Sequence, residues 1–460
     1  MYKVDFDKPV KAYFMGIGGI SMSGLAEVLL QEGFNVCGSD MKSSDVTKRL
    51  EELGADVKIG QVRENITEDI DVIIYTAAIH PDNPEYARAT ELSIPMLKRA
   101  ELLGQIMEHY KYSVAVAGTH GKTTTTSMMS YILMEAKLDP TVSIGGMLDA
   151  INGNIRVGKS DYFITEACEY TNSYHALNPF VTIILNVDAD HLDFFKNLEN
   201  IKESFKTFAG NTVKGGVVVL NGDMDSTDFV ASGTEQRVIT FGLKEGNDYR
   251  AEEVSYDEAG LPTYTLISKG HEPIRVSLGV PGLHNVMNSM AAIASADYLG
   301  VDRELTLKGL GKCKSAKRRF EKKGVTSAGV TVIDDYAHHP TEIAATLKSA
   351  RELKPEKLCV IFQPHTYSRT KALLDEFAEA LKVCDEVLLA DIYAAREKDD
   401  GSVSSKDLAE LIRVKGGNAT YLGGFDKIEE YVINNYKKNY LLITMGAGNV
   451  DSIGDNLVKK

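Results

Sequence analysis

The chain has 460 residues, 25% charged and 43% hydrophobic, enough for two to four packed domains at roughly 100–200 residues each. Asp and Glu number 65 against 51 Lys and Arg, a net charge of −14 with no long basic run, which argues against nucleic acid or anionic membrane as partners and leaves small molecules. Five scattered cysteines without a C-x-x-C pair, an opening without a basic-then-apolar signal, and no apolar stretch near the roughly 18–20 residues of a membrane span predict a cytoplasmic protein without disulfides or structural zinc.

Short Val- and Ile-rich runs alternate with amphipathic stretches almost throughout, the pattern of parallel β-α units covered on both faces, so the expected fold class is α/β. A first domain, 1–109, begins with a strand at 11–15, a glycine-rich turn, a helix closing at Gly33 and strands at 34–38 and 71–75. A second, 110–313, carries a strand at 113–117, a helix at 122–136, strands at 162–165 and 181–185, and a helix after His284. Inside it, the segments RVITFG, YRAEEV, PTYTLIS and EPIRVSL between 236 and 278 read as a small antiparallel side sheet. A third domain, 314–460, has strands at 330–333, 358–362, 386–389 and 440–443.

Two glycine-rich turns carry the first chemical signal. The strand at 113–117 runs into Gly118-Thr119-His120-Gly121-Lys122-Thr123-Thr124 and then a helix, so backbone N–H groups and a helix N-terminus face the turn, and phosphate is its natural occupant. Lys122 can reach between β- and γ-phosphates, and the Thr123 hydroxyl is placed for Mg²⁺. The spacing departs from G-x-x-x-x-G-K-[ST], because Val116 stands five before Gly121. The other turn, Gly16 to Gly24, follows the first strand, with Asp40 closing the second as a ribose-binding acid would. Its third fingerprint position is Ser21 rather than Gly, so an NAD-dependent oxidoreductase, another nucleotide and a packing turn all remain open.

Acids gather where the second domain's strands end: Glu166 and Glu169 after 162–165, and Asp188, Asp190 and His191 after 181–185. Open α/β sheets bind ligands at such ends. Phosphoryl transfer needs a divalent cation, and Glu166 with His191 could hold it. Asp188 and Asp190 could equally cap the next helix. Cys168 has no identifiable catalytic partner.

In this order stand VAVAGTHGKTTTT, EACE, LNVDADHLD, PGLHNVMN, KRRFE, DDYAHHPTE, QPHTYSRT and MGAGNV. Together they resemble the Mur ligase family over essentially the whole chain, and the opening GIGGISMSGLAEVLL with GSD, DDYAHHPTE and QPHTYSRT is most similar to its L-alanine-adding branch. The resemblance implies a Rossmann-like N-terminal UDP-sugar domain, a central P-loop-type ATPase domain with a mostly parallel sheet, and a Rossmann-like C-terminal domain that receives the amino acid. The implied reaction uses ATP and Mg²⁺ to phosphorylate the lactyl carboxylate of UDP-N-acetylmuramate, and the amine of L-alanine then displaces phosphate.

By the same likeness, Gly18, Gly19, Ile20, Ser21, Asp40, Thr76, Ala77, Ala78 and Arg99 would border the UDP-sugar. Gly118 to Thr124, Asn285, Arg319 and Asp335 would serve ATP. Thr123, Glu166 and His191 would hold metal, while Lys122, His191, His338 and Arg369 would act in catalysis, with Tyr336 and His365 near the substrate. Two departures stand out: Cys168 where Asp is frequent, and Thr366 where a second basic residue is common. A solvated basic face at 312–319, and His338 and His339 merely shaping a helix start, are the structural alternatives. A tripeptide-adding relative and a non-catalytic nucleotide switch compete as functions; a monomer or homodimer is expected.

Overall fold

The structure is a computed structural model in which residues 2–76, 78–395, 397–399 and 401–459 are described. The chain forms two compact units, one of Met1–Ala251, Leu266–Pro273 and Met287–Leu310, the other of Glu252–Thr265, Ile274–Val286 and Gly311–Lys460. Among the described residues no helix is long and apolar enough to cross a membrane. All five cysteines are free, and Cys168 alone is exposed.

The first unit contains a five-stranded parallel sheet in the order Asp56–Ile59, Asn35–Asp40, Lys11–Met15, Val72–Tyr75, Met96–Lys98. This 3-2-1-4-5 order reverses between Lys11–Met15 and Val72–Tyr75, and ligands bind beyond the carboxyl ends at such a reversal. The central sheet runs Arg237–Gly242, Val217–Asn221, Val181–Ile184, Tyr112–Ala117, Tyr162–Glu166, Thr141–Leu148, Gly153–Arg156. Only the last of these pairings is antiparallel. Strands such as VTII (181–184) are buried at every position, because helices cover both faces and leave no side for polar residues.

The first of the four segments assigned to an antiparallel side sheet belongs instead to the parallel sheet, since Arg237–Gly242 pairs in parallel with Val217–Asn221, and the second begins in parallel too, with Tyr249 and Arg250 level with Phe241 and Gly242. The intervening helix Thr227–Ala231 provides the crossover that parallel neighbours require. The other three, Tyr249–Tyr256, Pro262–Ser268 and His271–Ser277, follow one another through turns at 257–261 and 269–270. Short edge strands such as Asp56–Ile59 and Met96–Lys98 escaped the sequence reading, because they are half exposed and too brief to show a period.

Both sheets of this unit share one apolar core, with Leu25, Leu102 and Ile106 clustered with Phe163, Tyr174 and Phe205. Helix Arg99–His109 approaches the turn Tyr170–Ala176 so closely that a Cβ on Gly104 would lie 2.0 Å from the Ala176 carbonyl oxygen. The second unit holds a six-stranded sheet in the order Glu321–Val325, Thr331–Asp335, Tyr440–Met445, Lys357–Phe362, Glu386–Ala390, Ala419–Gly423, with the first strand antiparallel. Separate apolar clusters cover its two faces. Register aligns Asp335 and Phe362 with Met445, which brings Tyr336, Gln363 and Gly446 to one carboxyl edge.

Candidate active site

The Gly118–Gly121 turn is built by strand pairing. Val116 stands level with Glu166, and Ala117 with Ile184, so the strand entering Gly118–Gly121 is flanked by an acid on one side and Asn186 on the other. Asn186 Oδ1 accepts from His120 N at 2.7 Å, and its Nδ2 donates to the His120 carbonyl at 3.0 Å. Gly118 and Gly121 have φ of +145° and +87°, and Gly121 caps the helix Lys122–Glu135, aiming its unpaired N–H groups into the turn.

Lys122 folds back across this turn. Its Nζ donates to the Thr119 carbonyl at 3.1 Å and to both Glu169 oxygens, at 3.1 and 2.9 Å. Burial pulls the Lys122 pKa down, but Glu169, together with Cys168 and Glu166, more than offsets this and holds it above the ordinary lysine value. The Glu169 side chain is 4% exposed and also lies 3.6 Å from His191 Nε2. His191 adopts a left-handed φ of +52°, with its ring against Tyr170. Glu166 Oε1 accepts from Gly145 N at 2.6 Å. Sequence reading named Lys122, Glu166 and His191; it listed Glu169 only as an acid, because nothing local announces that it partners a residue 47 positions away.

A cleft of about 450 Å³ joins Glu166 to the other glycine-rich turn. Gly19, Ile20, Ser21, Thr76 and Arg99 line one side, and Gly145, Glu166 and Cys168 the other. Gly18 and Asp40 are not on this lining: Asp40 Oδ2 accepts from Gly18 N at 2.9 Å and so braces the turn from beneath. Ala78 is exposed, and Ala77 lies outside the described residues. Burial lowers the Arg99 pKa, with Cys168 acting in the opposite sense, a guanidinium environment that favours an incoming anion.

In the second unit, five expected residues form one file. The Arg319 guanidinium lies 5.3 Å from the Tyr336 ring, Tyr336 meets His338 at 5.4 Å, and His338 meets His365 at 5.9 Å. His365 Nδ1 is 3.5 Å from Arg369. Two members were missed in the sequence: Tyr393, whose ring stacks on His365 at 5.7 Å, and Glu342, 3.3 Å from His338 Nδ1 and 3.9 Å from Arg319. The adjacent histidines divide their work, since His339 caps the helix Pro340–Glu352 by accepting from Thr341 N, while His338 joins the file. Asp335 accepts from Phe320 N at 2.7 Å and Ala337 N at 2.8 Å, and burial pushes its carboxyl up to about 6. Asn285 is buried, donating to the Pro281 carbonyl at 2.7 Å.

A glycine-rich strand-to-helix turn on a parallel sheet, with an acid at its side and a cleft beyond, is the arrangement used by nucleotide-dependent enzymes of the phosphoryl-transfer class. Three family models match in sequence: "Mur ligase family, catalytic domain" over residues 11–111, "Mur ligase middle domain" over 116–296 and "Mur ligase, glutamate ligase domain" over 318–448. The chain belongs to the Mur ligase family, and it is an ATP-dependent ligase. It is 54% identical, over the full length of both, to the UDP-N-acetylmuramate–L-alanine ligase of Agathobacter rectalis. It is 49% identical to that of Caldanaerobacter subterraneus subsp. tengcongensis, covering 100% of this chain and 99% of the other. The crystal structure of UDP-N-acetylmuramate–alanine ligase from Thermotoga maritima is similar, with a TM-score of 0.81, 30% identity and 98% of each chain covered. A murein peptide ligase from Psychrobacter arcticus shares the fold, with a TM-score of 0.70, 23% identity and 98% of each chain covered.

Proposed function

We propose that this chain joins L-alanine to the lactyl carboxylate of UDP-N-acetylmuramate, converting ATP to ADP and phosphate, as a cytoplasmic step of peptidoglycan precursor synthesis. The observation that carries this reading is one continuous cleft running from Gly19–Ser21 and Arg99 to Glu166, which stands level with Val116 on the strand that enters the Gly118 turn. It can hold a long substrate by an anionic end while presenting a carboxylate to the transferring phosphoryl group. Full-length likeness to proteins named for that reaction supports it.

The residues have separable tasks. Amides of Gly121, Lys122 and the first turn of the helix they open, with the Lys122 ammonium, bind the phosphates and neutralise charge as the phosphoryl group moves to the carboxylate oxygen, giving an acyl phosphate. The amine of L-alanine then adds to the acyl carbon, and the tetrahedral adduct expels phosphate as the amide forms. His338 and Arg369 serve the incoming amino acid and the adduct, with Tyr336 and His365 beside them; Asn285, Arg319 and Asp335 serve the nucleotide. Alignment of this kind is worth about 7–11 kcal/mol.

Mg²⁺ fits the donors present. Among the described residues no three His, Cys, Asp or Glu side chains gather closely enough to hold a metal by themselves, and Mg²⁺ characteristically takes one or two carboxylates together with phosphate and water oxygens. Thr123, Glu166 and His191 would hold it, and it would supply charge neutralisation at the phosphate oxygens.

The direct test is phosphate release from Mg-ATP and UDP-N-acetylmuramate with no amine, with L-alanine, or with L-Ala-D-Glu-meso-diaminopimelate. Release that depends on L-alanine is expected. Release confined to the tripeptide would assign the chain to the tripeptide-adding reaction, and none with either amine would overturn the ligase reading. Arg99→Ala is further expected to raise KM for UDP-N-acetylmuramate roughly 10- to 100-fold, the worth of a hydrogen bond to a charged group. Steady-state titration of each substrate in turn checks this, and KM for ATP should stay within about twofold.

A further inference from the structure

The arginine before Arg319 has no task in this scheme, yet it is the more firmly held of the two. We propose that Arg318 is the positioning residue of Arg319: its guanidinium locks the backbone turn that aims the neighbouring side chain and touches no substrate itself. The inference rests on the reading in which Arg319 contacts ATP.

Arg318 Nε donates to Asp334 Oδ2 at 3.0 Å, and its two terminal nitrogens donate to the carbonyls of Gly448 and Gly446, each at 2.7 Å. Asp334 is fully buried, and its other oxygen accepts from Thr444 Oγ1 at 2.6 Å. One planar fork thus ties the KRRF segment to the strand Thr331–Asp335 and to the glycine turn after Tyr440–Met445. The solvated basic face, the alternative reading of 312–319, does not extend to this residue.

The backbone needs such a hold. Arg318 and Phe320, the two neighbours of Arg319, both have left-handed φ, +63° and +50°. Side chains other than glycine rarely adopt this region, and such conformations persist where surroundings over-determine them. Here they do: Arg318 N donates to Glu321 Oε2 at 2.8 Å, Arg319 N to the Ala316 carbonyl at 3.1 Å and Phe320 N to Asp335 Oδ2 at 2.7 Å. Tyr336 N donates to the Arg318 carbonyl at 2.7 Å. Arg319 therefore leaves the chain in an imposed direction, against Tyr336 and towards Glu342. A lysine at 318 would keep the charge but lose the planar fork that reaches one carboxylate and two carbonyls together.

The test is a double-mutant cycle on the full-length enzyme, with KM for each substrate as the readout. Arg318→Lys alone is expected to raise KM for ATP by about tenfold or more and leave KM for UDP-N-acetylmuramate within about twofold, the mark of a displaced binding group. In an Arg319→Ala background, Arg318→Lys should add nothing further to KM for ATP. Asp334→Asn, which leaves the carbonyl contacts in place, should shift KM for ATP in the same direction but less, and serves where Arg318→Lys folds poorly. Equal shifts for all substrates, or effects of Arg318→Lys that add fully to those of Arg319→Ala, would overturn the proposal. If Arg319→Ala alone leaves KM for ATP unchanged, the ATP reading of Arg319 fails instead.

Discussion

Lys122→Ala is expected to lower the rate of phosphate release by about a thousandfold or more, as removal of a preorganised charge at a transferring group does. The same substitution has a second effect, because Lys122 donates to both oxygens of the nearly fully buried Glu169. Removing one partner of a buried pair leaves an uncompensated charge, at about 3–5 kcal/mol, so the melting temperature should fall as well. Lys122→Ala combined with Glu169→Gln separates the two effects. The neutral amide relieves the orphaned charge and should recover most of the lost stability, while phosphate release stays lost. Recovery of turnover in the double variant would show that Lys122 acts through folding alone.

Gly121→Ala is expected to lower kcat/KM for ATP by roughly a hundredfold, the scale of a misplacement of about 1 Å at a reacting centre. Gly121 sits at φ +87°, and a Cβ there would lie 2.8 Å from Asn288 Oδ1 and 3.0 Å from Leu185 Cδ1. Both neighbours are buried, so the turn itself must move. Gly215 has a similar φ of +79° with nothing within 4 Å, and Gly215→Ala carries only the left-handed backbone cost of about 1–2 kcal/mol. Comparing the pair by nucleotide titration and thermal melting isolates the packing contribution. Equal behaviour of the two variants would mean that the phosphate turn tolerates displacement.

Much of the candidate site was legible because it is local. Gly118, Gly121, Lys122 and Thr123 lie within one turn, and the conformation of that turn depends on residues a few positions apart. The parallel β-α pattern was equally plain, since strands buried on both faces must be apolar throughout. Arg237–Gly242 was misassigned for the complementary reason: its alternating text suits either orientation, and the crossover helix before it decides for parallel pairing. The fingerprint places Asp40 near the first turn as a residue type, while only the packed structure shows that one of its carboxylate oxygens accepts from Gly18 N.

The α/β class, the family, the glycine-rich turn at Gly118–Thr124 and the placing of acids at strand ends were already in the sequence, all properties of contiguous residues or of their order along the chain. Tertiary structure alone decided that Glu169 partners Lys122, that Gly19–Ser21 and Glu166 line one cleft, that His338 and not His339 joins the aromatic file, and that Arg318 serves as anchor beside Arg319. Each depends on strand register and on side-chain direction between positions tens to more than a hundred residues apart. The free energy of those contacts comes from burial and from the geometry of charged hydrogen bonds, which exist only once distant segments of the chain have packed.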